Sequence, residues 1–336
     1  MRIFSFLCSA VTVFALAAPA VAAPGPVAQG GMKPVVPPPI PVHVAHPAHA
    51  PWAYTVSAQL PEAPATMAVY TIMPVDADAN LALLEDVFGV AGTPTFDADF
   101  GGVLHLRDVD QHAYAYDLGS MAYHDLANGF HEYRIHTVDT DTLWNESEAL
   151  LADLGLFDNP FLQLAPYQTG EMVNQLHDGS GAVVDTWVSA QGATWKMTLD
   201  GWPTFGGGSE VSAYFGDNGM PVGLNSGMRT LQPAGEIEVM RADAALHSWL
   251  SFAARTGRWN INKVATPNLR GVDIQEVTLG YFLSDNAQAD AAVVPVYQIK
   301  GVLTFSPDGD QTETADLIWY QPAAPGLVVP DFAIGR

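Results

Sequence analysis

Val183–Leu231 reads VVDTWVSAQGATWKMTLDGWPTFGGGSEVSAYFGDNGMPVGLNSGMRTL, and its periodicity decides the fold. Trp195, Met197 and Leu199 alternate with Thr194, Lys196 and Thr198, which places the apolar set on one face of a strand and the polar set on the other. Val211, Ala213 and Phe215 alternate in the same way with Glu210, Ser212 and Tyr214. Asp200-Gly201 and Asn218-Gly219 are dipeptides that tolerate positive φ, so each is expected to close a tight turn. The glycines at 206–208 are expected to form a bend or bulge. The reading is three or four antiparallel strands with one apolar face that needs a cover.

Three stretches are predicted to supply that cover. In the first, acidic and polar residues at 76–80 precede Leu81, Leu84, Val87 and Phe88 at helical spacing, and Gly89 ends the run. The opening DADAN also resembles the start of a calcium loop. Leu81 stands where that loop needs glycine, and Val87 where it needs glutamate, so capping explains the residues better. The other two helices are expected near 145–154 and 241–254, the latter with Leu246, Trp249, Leu250 and Ala253 on one side. Strands are expected after each helix, at 103–109, 113–126, 274–283, 293–305 and 315–320. The predicted class is therefore α+β: repeated helix-then-antiparallel-strand units in two lobes, with helices on one face of curved sheets.

The ends of the chain read differently. Residues 1–22 have a basic start at Arg2, an apolar run and an A-x-A site at Ala20–Ala22, which is the pattern of a cleavable signal peptide. An uncleaved anchor is the alternative, because Ile3 to Ala23 carries no charge. Residues 23–51 form a Pro/His-rich tether expected to be disordered. His43, His46 and His49 recur every third residue and would line one edge of a polyproline II helix, a candidate metal site; the plainer reading is a solvated tether. An N-terminal lobe is expected over 52–136, a C-terminal lobe over 137–320 and a coil over 321–336. Cys8 is the only cysteine and lies inside the signal, so the mature chain is expected to have no disulfide.

With 36 acidic against 13 basic residues the net charge is −23, which disfavours nucleic acid and anionic membrane as partners. No H-E-x-x-H, G-x-S-x-G, S-x-x-K or phosphate-binding loop is present, so no catalytic residue and no cofactor is assigned. His105, His112, His124, His131 and His136 cluster in sequence, and strand alternation could gather the first three on one face; nothing in their spacing selects a metal.

VYTIMPV followed by LLEDVFGV, then LDGWPTFGGGSEVSAYFGDNGMPVGL, then EVTLGYFLSD and VVPVYQIKGVLTF resemble the cadence of extracytoplasmic YycH/YycI-type regulatory proteins and PepSY-like modules. The similarity runs from about Met67 to Phe305 as a pattern. It implies a non-enzymatic secreted or envelope-associated module that binds another envelope protein, such as a sensor kinase or a peptidase. Those regulators keep an N-terminal transmembrane helix, whereas this chain is expected to lose its leader and keep no span. The alternatives are a secreted hydrolase or carbohydrate-active protein using dispersed carboxylates, and metal binding by the His tether.

Overall fold

The computed structural model describes residues 13–14, 53–97, 103–108, 110–129, 134–257, 269–284, 291–306 and 311–325. In chain order the first half contains β1 (Val13–Phe14), β2 (Ala53–Val56), β3 (Thr66–Met73), α1 (Ala77–Phe88), β4 (Thr95–Asp97), β5 (Val103–Arg107), β6 (Gln111–Tyr116) and β7 (Met121–Asp125). Then come α2 (Thr140–Asp153), β8 (Leu162–His177), β9 (Val183–Leu199), β10 (Trp202–Phe205), β11 (Glu210–Phe215) and β12 (Pro221–Ser226). The last part holds β13 (Thr230–Glu238), α3 (Ala242–Thr256), β14 (Leu269–Phe282), β15 (Ala292–Val293), β16 (Pro295–Phe305) and β17 (Glu313–Pro322).

The chain forms two compact units. Unit 1 holds Met73–Asp200 and Gly208–Thr230, with β1; unit 2 holds the described parts of Ala22–Ile72, Gly201–Gly207 and Leu231–Arg336. Neither unit is one continuous segment, and the division does not fall at 136/137.

Unit 1 is one antiparallel sheet in the order β8-β9-β11-β12-β7-β6-β5-β4, with β1 paired beside β8 at Val173 and Met172. Its helices begin and end where side chains can satisfy the backbone. The Asp76 carboxylate accepts from the N–H groups of Asp78 (3.1 Å) and Ala79 (3.4 Å) at the start of α1. Gly89, at φ 68°, closes that helix by donating to the Glu85 carbonyl. The DADAN stretch is thus a cap. α2 starts five residues before the expected 145 because Asp139 accepts from the Thr142 N–H at 2.8 Å. Asn218 (φ 53°) and Gly219 (φ 79°) turn β11 into β12, and Asp200 and Gly201 also have positive φ.

Unit 2 contains the order β17-β16-β14, antiparallel, with β2 and β10 both paired parallel to β14. A three-stranded sheet, β13-β3-β15, belongs to the same unit. α3 buries Leu246, Trp249 and Leu250 completely, and the Tyr297 hydroxyl donates to the Met240 carbonyl just before that helix at 2.7 Å. Within the glycine run, Gly206 has φ 91°, and a Cβ there would collide with the Leu283 carbonyl.

The expected α+β class is corrected by this architecture. Of the described residues, 52% lie in strands and 21% in helices, so the chain is mostly β. Nor do the strands stay in successive helix-then-strand units: β12, from the second stretch, pairs with β7 from the first, and β2 and β10 pair parallel. The sequence pattern understated β structure for an identifiable reason. β8 is 16 residues long yet exposed on both faces over most of its length, so it has no alternation to read, and Pro166 sits at a bulge in it.

The expected signal peptide (1–22) and tether (23–51), with His43, His46 and His49, lie outside the described residues, apart from the backbone of β1. Among the described residues no helix is long and apolar enough to cross a membrane.

Candidate functional site

The sheet of unit 1 has two unlike faces. On one, Leu106, Ala113, Ala115, Tyr123, Leu224, Ala213 and Trp195 are buried. Both helices pack there: Phe88 of α1 stacks on Tyr123 with ring centres 3.9 Å apart, and Ser147 of α2 accepts a 2.6 Å hydrogen bond from the Trp195 indole. The period of two sends the alternate residues to the opposite face, and among the described residues neither helix of the unit covers it. That helix-free face is the candidate site.

Strand register assembles it. Arg107 on β5 lies opposite His112 on β6, and His112 lies opposite His124 on β7. The same row continues through Gly223, Tyr214, Gly192 and Gly170 on β12, β11, β9 and β8. The neighbouring row starts at His105 and Tyr114 and runs on through Ala122, Asn225, Ser212 and Thr194. One end of the face therefore carries imidazole, phenol and guanidinium groups, and the rest carries glycine and short polar side chains together with Tyr214 and the Lys196–Glu210 pair. The Tyr214 ring fills the space above Gly192, where a Cβ would meet it at 3.3 Å.

The rings at the polar end are ordered by one another. His105 stacks on Tyr114 with centres 4.4 Å apart and planes 9° apart. The Tyr114 hydroxyl and His112 Nδ1 are 3.2 Å apart, and His124 meets Tyr114 edge-on at 6.4 Å. Cross-strand ring pairs of this kind contribute about 0.2–1 kcal/mol each. His112 Nε2 is buried without a hydrogen-bond partner. Burial lowers the His112 pKa, the Arg107 charge lowers it further, and Asp110 opposes them. Burial, then His112, lowers that of His124. The Tyr116 phenol is pushed up by burial and by Tyr114, against Arg229. Farther along, Lys196 donates to Glu210 at 2.6 Å and lies 5.1 Å from the centre of the Tyr167 ring.

Strand alternation does gather His105, His112 and His124 on one face, as their positions suggested. It does not make them a metal centre: among the described residues no group of three or more His, Cys, Asp or Glu is placed to hold an ion. His131 lies outside the described residues. His136 is elsewhere in unit 1, where its ring Nδ1 and its backbone N–H both engage Asp217 Oδ1. Arg107, Tyr114, Tyr116 and Tyr214 were not singled out from sequence. The signal for them was present, since QHAYAY and EVSAYF place each tyrosine on the face opposite the alanines.

The carboxylates whose pKa moves all move down, each held by an identifiable donor. The Thr142 backbone N–H does this for Asp139, the Ser180 hydroxyl for Asp178, and the His136 backbone N–H for Asp217. Arg241 does so for Asp243 and the Thr55 hydroxyl for Asp273.

No family model and no curated protein matches the chain. Among solved structures it is similar to an uncharacterized protein from Eubacterium rectale ATCC 33656. The two are 10% identical over 82% of this chain and 90% of that one, with a TM-score of 0.48. A likeness at that level carries no functional argument.

Proposed function

We propose that this protein is a non-enzymatic binding module of the envelope or extracellular space, acting on a partner protein through the helix-free face of unit 1. The observation that carries the reading is the concentration of half-buried His105, His112, Tyr114, Tyr116 and His124 on a sheet face that α1 and α2 leave uncovered. Aromatic and arginine side chains are enriched in the centres of protein interfaces, where their large, rigid area costs little conformational entropy. The leader sequence and the regulator-like cadence support an extracytoplasmic protein partner.

The test is site-specific photo-crosslinking in the native envelope. A benzophenone amino acid at Tyr114 should capture one partner protein in stoichiometric yield, while the same group at exposed Glu148 on α2 should not. Equal capture from both positions, or turnover of a glycan or peptide library by the purified protein, would contradict the proposal.

A further inference from the structure

We infer that the outer edge of β8 is a strand-addition site, where an extended, uncharged segment of the partner protein pairs antiparallel with the backbone and widens the sheet of unit 1. The inference rests on the proposed binding function in taking the occupant to be a protein, and it names the segment's chemistry and the edge it takes. β9 covers one side of β8; on the other side, among the described strands, only the two residues of β1 pair with it, at Val173 and Met172. In an antiparallel ladder about half of a strand's N–H and C=O groups point to each side, so β8 offers a row of donors and acceptors that β1 covers only in part.

Exposed edges are normally guarded by brevity, charge, proline or a bulge. β4, at the far end of the same sheet, is three residues long, and β17 of unit 2 carries Glu313 and Asp316. β8 has 16 residues, no lysine or arginine, and Glu171 as its one carboxylate, in a chain of net charge −23. Its guards stand near one end: Pro166 lies opposite Trp195 and Gln168 opposite Thr194, which leaves Tyr167 as an extra residue. The two later register shifts put the extra residue on β9, first Ser189 and then Val184, so β8 itself runs unbulged over 168–177. Apolar side chains also lack cover here: Leu176 is 45% exposed, and Val183 and Val184 across the hairpin are 49% and 56% exposed.

The chemistry of the occupant follows from what already pairs with this edge. β1 is Val13–Phe14, within an uncharged run, and it lies antiparallel on Val173 and Met172. The expected loss of the leader would free those positions in the mature chain. Main-chain pairing selects an extended segment, with side chains adding specificity, so a partner's uncharged strand fits the same groups. A second copy is opposed by charge, because it would bring two molecules of −23 edge to edge.

The probe is a labelled peptide of residues 11–18, VTVFALAA, followed by fluorescence polarisation. It is titrated with the full chain carrying Val13→Pro and Phe14→Pro, so that the chain's own leader cannot pair. Saturable binding is expected, and the unaltered full chain should bind at least about fivefold more weakly because its tethered β1 competes. N-methylation of the peptide amides at either 12, 14 and 16 or 13, 15 and 17 should abolish binding for one set and spare it for the other, since alternate amides face β8. Gly170→Lys with Leu176→Lys should weaken binding about tenfold, while Glu148→Lys on α2 should change nothing. A Cβ at Gly170 meets nothing within 4 Å, so that side has room. Should the double variant fail to fold, the two methylated peptides carry the same test. Absence of binding, equal effects of the two methylated sets, equal binding by the unaltered chain, or full binding by the folded lysine variant overturns the inference. In the native envelope, benzophenone at exposed Gln175 should capture an uncharged segment of another protein. Capture of the leader, of a second copy or of a highly charged segment overturns the choice of occupant. Failure of the underlying function is separable: capture at Tyr114 without peptide binding at β8 leaves the binding face standing without this edge. Peptide binding and capture at Gln175 without capture at Tyr114 does the reverse.

Discussion

At the scale of single residues, stability rests on polar atoms that have one buried partner and on glycines that have no room. The Trp195 indole N–H has Ser147 as its acceptor inside the core between α2 and the sheet. Ser147→Ala should cost about 1–3 kcal/mol in a chemical-denaturation experiment, because it strands a buried donor without creating much cavity. Gly301 and Gly280 are tighter still. A Cβ on Gly301 would run into the Asp273 carbonyl, beside the bulge at Ile274/Glu276, and one on Gly280 into the Pro203 carbonyl. Neither obstacle is a flexible side chain, so each Gly→Ala change should destabilise unit 2 by about 1–3 kcal/mol, as overpacking does. A neutral result at either position would refute the contact. The histidines set a pH dependence as well. His112 and His124 titrate below the ordinary 6.5 in the folded protein, chiefly through burial. As pH falls the unfolded chain therefore takes up protons first, so this contribution is complete above about pH 6.5 and is lost progressively below it. His112→Gln should make the melting temperature less sensitive to pH between 6.5 and the depressed folded-state value, and an unchanged slope would refute the assignment.

At the scale of elements, the legible ones were those with local chemical punctuation. Asp76 and Gly89 bracket α1, and Asn218-Gly219 turns a hairpin. Trp195 and Trp249 were readable as core from their periodicity, and both are buried. Asp76→Ala should cost about 1 kcal/mol by removing the cap on two backbone donors, measurable as a shift in the denaturation midpoint. Trp249→Ala should cost about 3–5 kcal/mol. What could not be read was pairing between distant strands. β8 shows no alternation because it is largely exposed, and nothing in Ala53–Val56 or Trp202–Phe205 announces that each will lie parallel to β14. The candidate site was half legible for the same reason: alternation assigns His105, His112 and His124 a common face, but only register sets Arg107 opposite His112. The helical pattern near 145 missed the true start of α2, since Asp139 caps from outside the apolar run.

At the scale of the whole molecule, the chain leaves unit 1 after Asp200, returns at Gly208 and leaves again after Thr230. A boundary at 136/137 therefore cuts through unit 1, separating β7 from its neighbour β12. A fragment of residues 52–136 should consequently show no cooperative thermal transition, because β7 loses a neighbouring strand and α2 with its core contacts is absent. A sharp transition by circular dichroism would contradict the division into units. In the proposed binding function the same sheet serves twice: its helix-covered face supplies the core, and its other face is the one proposed to take a partner. Hydrogen exchange of the full chain, free and bound to the partner captured at Tyr114, tests that claim most directly. The account predicts slowed exchange in Val103–Arg107, Gln111–Tyr116 and Met121–Asp125, with α2 and unit 2 unchanged. Slowed exchange confined to α2 or to unit 2, with those three strands unaffected, would contradict it.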